Sequence, residues 1–567
     1  MFTIYDCEVF KYDWLIVLLI DDDQVIKIHN DVEALKERLS SKKILVGYNN
    51  YNYDDLILSA ILMGKNNEQI YKLSQTIISG KRPRVKSLPY LTLDVMQEIN
   101  FSLKEAQANM GLSIVETPID FNLDRPLKEM EVEYVFRYCE NDVRTTKQLF
   151  EERESYFTSK FEIVQTFKLN VTDVKKTETN LSAAVLKSKK KKPEDDRLLI
   201  NFDERLKTKE LPSPIIDFYK DIKEKYKQGI DYRDLESQKF DYMLAGINHT
   251  YGFGGLHGAK ENFVYKGNMM QIDVSSYYPT LMINNNFVSR AAVSPELYKE
   301  IYNERLRLKA LDDPKQEAYK LVLNKACGAM KSEYNSLYDP LMNNNIVVNG
   351  QLILTHLIIL LKPFAQLVQS NTDGIIIAYE LEMKENILQL IDLFSKHYEL
   401  TFDVDYITKI AQRDVNNYVI QYEDGKIKAT GRMANYEGGN WERNTLAIID
   451  KALVDYYIHG IDIQKTVINS WKNNQLDLFQ LVAKVGSTFN GMVHEIDEIM
   501  KPIQKVNRVF ATNNKRLGSV YKEKDGKFHK VQYAADHCLV WNDDLSKMNK
   551  RYIDLNYYIK LIKSNLF

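Results

Sequence analysis

Hydrophobic and polar positions along this chain change period several times, and each change predicts an element. Phe2 to Tyr5 open as a strand, and on a strand Asp6 and Glu8, two apart, share one face. Ile44 to Val46 carry a short buried-strand signal. Gly47 and the Asn-rich stretch after it form a turn, and Asp54-Asp55 begin a helical run through Leu56 to Met63. Residues 131–150, EVEYVFRYCENDVRTTKQLF, keep a helical period that sets Tyr138 and Asp142 on one face, four apart. Gln271-Ile272 end a strand with Asp273 at its tip. Val274 to Tyr278 turn, and Pro279 suits the first turn of a helix. Residues 294–313 and 314–330 predict two helices broken at Asp312-Asp313-Pro314. Hairpins centre on Thr372-Asp373-Gly374, Glu423-Asp424-Gly425 and Asp525-Gly526, and Trp441 to Asn474 is largely helical.

Composition narrows the class. The 567 residues exceed one core, so several domains are expected; 44% hydrophobic and 27% charged residues mark an ordinary globular chain. A net charge of −2 gives no whole-chain attraction to nucleic acid, so any such binding needs local basic patches. Cysteines 7, 139, 327 and 538 form no C-x-x-C pair, which argues against a zinc site or disulfide framework and fits a reducing compartment. No apolar run reads as membrane-spanning, and Met1 leads into a strand-like run without a signal sequence, so a cytoplasmic protein without a membrane partner is expected. Lys187 to Lys192, KSKKKK, followed by Pro193 and Glu194-Asp195-Asp196, reads either as a solvated loop or as a track for a phosphate backbone.

Several residues carry candidate chemistry. Paired carboxylates on one strand face beside apolar neighbours are costly unless a cation joins them; the alternative is a solvated face. An Asp in a first helical turn, as at 54, is favoured by the helix dipole alone. A carboxylate at a strand end before a backbone turn, as at 273, suits a metal and a triphosphate, and equally suits a helix cap. Glycines 252, 254, 255 and 258 permit close backbone approach.

Asp6-x-Glu8, Asn50-x-x-x-Asp54 and Tyr138-x-x-x-Asp142, in that order and spacing, resemble the three motifs of the proofreading 3′–5′ exonuclease domains of DNA polymerases. The resemblance implies a ribonuclease H-like mixed sheet over residues 1–155. It implies that Asp6, Glu8, Asp54 and Asp142 hold two Mg2+ ions, with Mn2+ as a substitute, and that Tyr138 orients the attacking water. Asn50 and the pair Ser102-Leu103 would contact the frayed strand; by itself Ser102 also reads as a helix N-cap. Asp54 is preferred to Asp55 on its spacing from Asn50, and Asp94 reads as structural.

Downstream, DVSSYYP at 273–279 resembles motif A of family B DNA polymerases. Tyr251-Gly252-Phe253-Gly254-Gly255 resembles the Y-x-G-G motif, with one extra residue. Lys320-x-x-x-Asn324-x-x-Cys327-Gly328 resembles motif B, Asn371-Thr372-Asp373-Gly374 resembles motif C, and 413–433 resembles the K-x-Y region. The implied roles follow residue by residue. Asp273, the Val274 carbonyl and Asp373 bind two Mg2+ ions. Amides of Ser275, Ser276, Tyr277 and Tyr278 bind the dNTP phosphates, with Tyr278 as the sugar gate and Tyr277 where Leu is usual. Lys320 and Asn324, helped by Arg305 or Lys309, bind the nucleotide. Gly254 and Gly255 touch the template, and Tyr418 and Lys428 grip the primer-template. The implied organisation is an α/β and α+β multidomain protein: exonuclease 1–155, connecting region 156–265, palm 266–293 and 333–435, fingers 294–332, thumb 436–567. Short intervals between motifs argue against terminal-protein priming. The expectation is a compact, phage-like family B DNA polymerase with proofreading, acting on primer-template DNA and dNTPs with possible accessory proteins; the alternative is an exonuclease whose polymerase half only binds DNA.

Overall fold

A computed structural model describes residues 2–20, 24–40, 44–192 and 194–567; Met1 and Pro193 lie outside the described residues. The protein is a mixed α/β multidomain chain with several sheets, and it divides into two compact units.

The first unit comprises Met1–Thr158, Glu437–Lys451 and Ile463–Ser564. Its N-terminal sheet has strands β1 (Phe2–Val9), β2 (Trp14–Ile20), β3 (Gln24–His29), β4 (Ile44–Gly47) and β5 (Leu91–Asp94) in the order β3-β2-β1-β4-β5. β1 runs antiparallel to β2, and β4 and β5 run parallel to β1. The alternation of β1 works as its period predicts: Tyr5, Cys7 and Val9 enter the core with Trp14, Ile16 and Leu18, which leaves Asp6 and Glu8 on the opposite face. The Glu129–Glu152 helix covers the sequence-predicted 131–150. Residues 437–451 and 463–564, read as a thumb, belong to this unit. They bring two small antiparallel sheets, one carrying the predicted hairpin at Asp525-Gly526, where both residues have positive φ. Arg508 from this segment is fully buried and donates to the carbonyls of Ala108 (3.0 Å) and Leu112 (2.8 Å). A cation there satisfies carbonyls that a helix end leaves unpaired.

The second unit comprises Ser159–Tyr436, Ala452–Asp462 and Asn565–Phe567. It is built on a nine-stranded sheet: β6 (Phe240–Leu244), β7 (Ile247–Tyr251), β8 (His257–Ala259), β9 (Phe263–Val274), β10 (Gln366–Asn371), β11 (Gly374–Ala378), β12 (Phe402–Asp414), β13 (Asn417–Tyr422) and β14 (Ile427–Thr430), in the order β14-β13-β12-β9-β11-β10-β8-β7-β6. The Gly-rich region read as part of a connecting segment is therefore an edge of this sheet. The two expected helices are Pro295–Ala310 and Gln316–Lys331.

The Pro340–Leu361 helix corrects the reading that no apolar run reaches membrane-spanning length: by length and composition it does, at mean hydropathy 1.5. It is 89% buried, and its buried face carries a polar stripe. Asn349 accepts from Asp203 N (2.7 Å) and donates to Asn201 O (2.8 Å); Asn345 accepts from Asn201 N (2.9 Å); Gln351 donates to Gly252 O (3.0 Å). These amides pair backbone groups that the loops around them could not satisfy internally, so the helix is a core spine.

Candidate active sites

In the first unit the acids converge from three elements. Asp6 and Glu8 come from β1. Asp54 opens the Asp54–Leu62 helix, and its Oδ1 accepts from Cys7 N at 3.1 Å, which docks it beside β1. Asp142 comes from the Glu129–Glu152 helix, one turn after Tyr138. The mutual electrostatics record the convergence. Burial and then the Asp142 charge push Asp6 up to about 7. Burial followed by Asp6, Asp142 and Asp54 raises Glu8, and burial followed by Asp6 raises Asp54. Four carboxylates gathered against their own repulsion make a donor set that fits divalent cations.

Asp54 and Asp55 are separated by their partners. Asp55 accepts from Asn50 Nδ2 (2.8 Å), Thr92 Oγ1 (2.7 Å) and the Tyr5 hydroxyl. Its acceptor sites are spent inward, whereas Asp54 stays with Asp6 and Glu8. The same contacts correct the expectation for Asn50: it is fully buried and positions Asp55, so it does not reach a DNA strand. Ser102 is the N-cap of the Leu103–Asn109 helix in a capping box with Glu105, and its hydroxyl is used there; Leu103 is half-buried. Asp94 accepts from Asn49 N and Met96 N, a structural role.

Two neighbours escaped the sequence reading. Lys104 Nζ binds both oxygens of Asp142 (2.6 and 2.9 Å) and sits 4.3 Å from the centre of the Tyr138 ring, while Gln107 donates to the same carboxylate at 2.8 Å. Cys139 Sγ donates to Asp6 Oδ2 at 3.3 Å, and the ligand atoms of Asp6, Glu8 and Cys139 lie within 4.8 Å of one another. Their signal was position only: Lys104 follows Ser102-Leu103, and Cys139 sits inside the Tyr138-to-Asp142 spacing.

In the second unit, Asp273 near the end of β9 pairs across to Gly374 of β11 on one side and Asp403 of β12 on the other. The β10–β11 hairpin turns through Thr372 (φ 55°) and presents Asp373, whose carbonyl accepts from Val274 N at 2.8 Å. Asp273 on β9 and Asp373 in the turn that leads into the adjacent β11 are thus brought to one place. They line a cleft of about 180 Å³ with Gln271, Asn371, Tyr418 and Lys428. Burial raises Asp273, opposed by the Gln271 hydrogen bond and reinforced by the Asp373 charge; burial also raises Asp373, opposed by a backbone hydrogen bond and by Lys428. A half-buried and an exposed acid lining one cleft fit a divalent cation here as well. Gln271, which the sequence reading passed over as a strand residue, donates to Asp273 Oδ2 at 2.5 Å and is itself held by the Tyr422 hydroxyl at 2.9 Å.

Gly374 makes this geometry possible. A Cβ there would lie 1.8 Å from Asp273 Oδ1 and 3.0 Å from the Ile272 carbonyl. Gly255 does the same for the glycine-rich loop: its Cβ would meet Thr372 Oγ1 at 2.5 Å. Gly254 is held through its carbonyl by Gln351. Tyr251 of that motif is a core residue bonded to Thr355, not a surface contact.

The turn after Asp273 begins with Ser275, whose N donates to Thr401 O at 2.8 Å. Ser276 is left-handed (φ 51°), and its hydroxyl accepts from the Arg305 guanidinium. Arg305 is 7% exposed and its Nε has no partner among the described residues. Tyr277 is buried, with its hydroxyl on Gly350 O (2.7 Å), and its ring packs beside Tyr278 (5.8 Å between centres). The Tyr277 ring thus anchors the turn to the Pro340–Leu361 helix, and of the two rings only Tyr278 stays half-exposed. Lys320 pairs with Glu317 (3.2 Å), and Lys309 and Asn324 are exposed on their helices; none of the three lines the cleft. Tyr418 lines the cleft but is mostly buried in the sheet core, while Lys428 is exposed beside it.

No family model matches the chain, and no curated protein matches it. Among solved structures it is similar to the family B DNA polymerase from the hyperthermophilic archaeon Pyrobaculum calidifontis, at 12% identity and a TM-score of 0.44, covering 99% of this chain and 77% of that one.

Proposed function

We propose that the chain is a DNA-directed DNA polymerase with a 3′–5′ proofreading exonuclease, each activity in its own unit. The observation that carries the reading is that Asp273 on β9 and Asp373 in the turn leading into the adjacent β11 line one cleft, beside a left-handed turn held by a buried arginine. Divalent cations bound by these acids supply charge neutralisation and acidify the primer 3′-hydroxyl. The chain supplies the rest. Gln271 holds Asp273 by hydrogen bond, and the Val274 amide ties Asp373 to the same turn. Arg305 brings a guanidinium to Ser276, beside the amides of Ser276 to Tyr278 that would meet a triphosphate; the Ser275 amide, spent on the Thr401 carbonyl, drops out of the set expected from the motif. Tyr278, packed against Tyr277, is placed to exclude a 2′-hydroxyl. Lys428 adds positive charge at the cleft for the primer-template.

For the exonuclease, Asp6 and Glu8 on the central strand of a sheet ordered β3-β2-β1-β4-β5, with Asp54 and Asp142 brought to it by helices, support the ribonuclease H-type reading. Tyr138 orients water, and Lys104 holds the charge of Asp142. The phage-type setting and nucleic-acid priming remain part of the proposal.

The test is a labelled primer-template with Mg2+, with and without dNTPs. Asp273→Asn and Asp373→Asn are expected to abolish extension and spare shortening; Asp6→Ala with Glu8→Ala should do the reverse. Extension by both Asp273→Asn and Asp373→Asn proteins would overturn the assignment.

A further inference from the structure

The run KSKKKK-P-EDD sets five lysines against three acids, and the structure separates the two kinds of charge. The acids are used internally. Asp196 binds Arg290 Nη1 at 2.5 Å, Glu194 lies 3.5 Å from the same guanidinium, and Asp195 accepts from the Tyr226 hydroxyl. Arg290 is further held by Asp339 at 2.7 Å. The lysines are not used in this way. Lys187, Lys189, Lys190 and Lys192 are exposed, and among the described residues none is paired with a carboxylate; Lys191 donates to the Arg290 carbonyl. The segment thus carries an excess of positive charge, and with the acids drawn inward the lysines form a positive ridge over a neutralised base.

The ridge is also fixed in place. Lys189 N donates to Ala291 O (3.0 Å), Val293 N donates to Leu186 O (3.1 Å), and Ser188 Oγ meets Ser336 Oγ at 2.6 Å. Residues 291–293 lead directly into the Pro295–Ala310 helix, capped by Ser294, and Ser336 follows the Gln316–Lys331 helix. The lysines therefore stand at both roots of the helical hairpin whose Arg305 reaches the Asp273 turn. A backbone-pinned run of exposed lysines, none paired with a carboxylate among the described residues, suits a run of phosphates better than one compact anion.

We infer that the Lys187–Lys192 ridge binds the phosphate backbone of single-stranded template DNA. The name "template" rests on the polymerase reading; the binding does not. A single strand can bend to follow several lysines on one short segment, which a stiff duplex cannot, so a single strand is favoured.

The test uses the triple variant Lys189→Ser, Lys190→Ser, Lys192→Ser, which keeps Lys191 on Arg290. Binding is measured in EDTA, so neither reaction proceeds, to a labelled primer-template with a 5′ template overhang of about 20 nucleotides, longer than typical single-strand sites, and to a blunt duplex of the same sequence. Three lost single-strand contacts should reduce the slope of log affinity against log salt by about 2 on the overhang substrate, with the blunt duplex unchanged. A matched control, Lys220→Ser with Lys225→Ser and Lys227→Ser on the Ser213–Lys227 helix, should leave both slopes unchanged. An unaltered overhang slope in a folded triple variant overturns the inference. Equal loss on the blunt duplex overturns the single-strand assignment. Loss of primer extension in the parent protein would instead count against the polymerase reading and leave the binding result standing.

Discussion

Adding one methyl group at Gly374 tests whether the Asp273–Asp373 cleft is the site of chemistry. In Gly374→Ala the new Cβ would start 1.8 Å from Asp273 Oδ1, where real Cβ contacts do not fall below 3.0 Å, so the carboxylate has to move by about 1.2 Å. It cannot do so freely. The strand pairing holds Gly374 opposite Asp273, and the Ile272 carbonyl at 3.0 Å blocks a backbone escape. Rotating the carboxylate also breaks its hydrogen bond from Gln271. A displacement near 1 Å of a group that positions the reacting atoms costs on the order of 10²-fold in rate, or about 2.7 kcal/mol of transition-state stabilisation. The assay is single-turnover primer extension under saturating Mg2+ and dNTPs, with single-strand shortening by the same preparation as the internal control. Gly491→Ala, where the new atom meets nothing within 4 Å, controls for substitution itself. Gly374→Ser restores the residue type of the motif it resembles yet adds the same Cβ, and the same loss is expected. If folded Gly374→Ala protein extends primers within about threefold of the parent, well short of that loss, the argument fails.

Other consequences follow from the same geometry. Asp6 keeps its proton to about pH 7 when folded, while an unfolded Asp releases it near 4, so metal-free protein should lose stability as pH rises through that window; melts in EDTA at pH 5 and pH 7 read this, Mg2+ should oppose the loss at pH 7, and Asp6→Asn should flatten it. Lys104→Met removes the ammonium that holds Asp142, and Mn2+ titration followed by electron paramagnetic resonance should show altered affinity at the exonuclease acids with extension unaffected. Asn349→Leu leaves the buried Asp203 N unpaired, while the Asn201 carbonyl, on an exposed residue, can turn to water, so the change should cost about 1–3 kcal/mol in denaturant unfolding. Arg305→Gln should raise the KM for dNTP while Lys309→Gln, on an exposed side chain, should change it little.

What the amino-acid sequence determined by itself was local. A period of two put Asp6 and Glu8 on one face of β1, and a spacing of four put Tyr138 and Asp142 on one face of a helix. Turn residues marked the hairpins at Thr372-Asp373-Gly374 and Asp525-Gly526. Backbone geometry sets side-chain direction within an element, so these features follow from a few adjacent residues. Tertiary structure decided what stands across from them. Spacing from Asn50 preferred Asp54 to Asp55 in the sequence, and the contacts of Asn50, Thr92 and Tyr5 with Asp55 are what assign Asp55 to the core. Lys104 and Cys139 carry no distinguishing local pattern, because their role lies in distances of about 3 Å to atoms on other elements, whereas Gln271 meets Asp273 two residues along the same strand. The apolar Pro340–Leu361 helix satisfied the membrane criterion until its amides found loop backbone to bind. The lysine run showed only a small excess of positive charge until Arg290 drew its acids inward. Such contacts depend on chain closure over long separations, which no periodicity records.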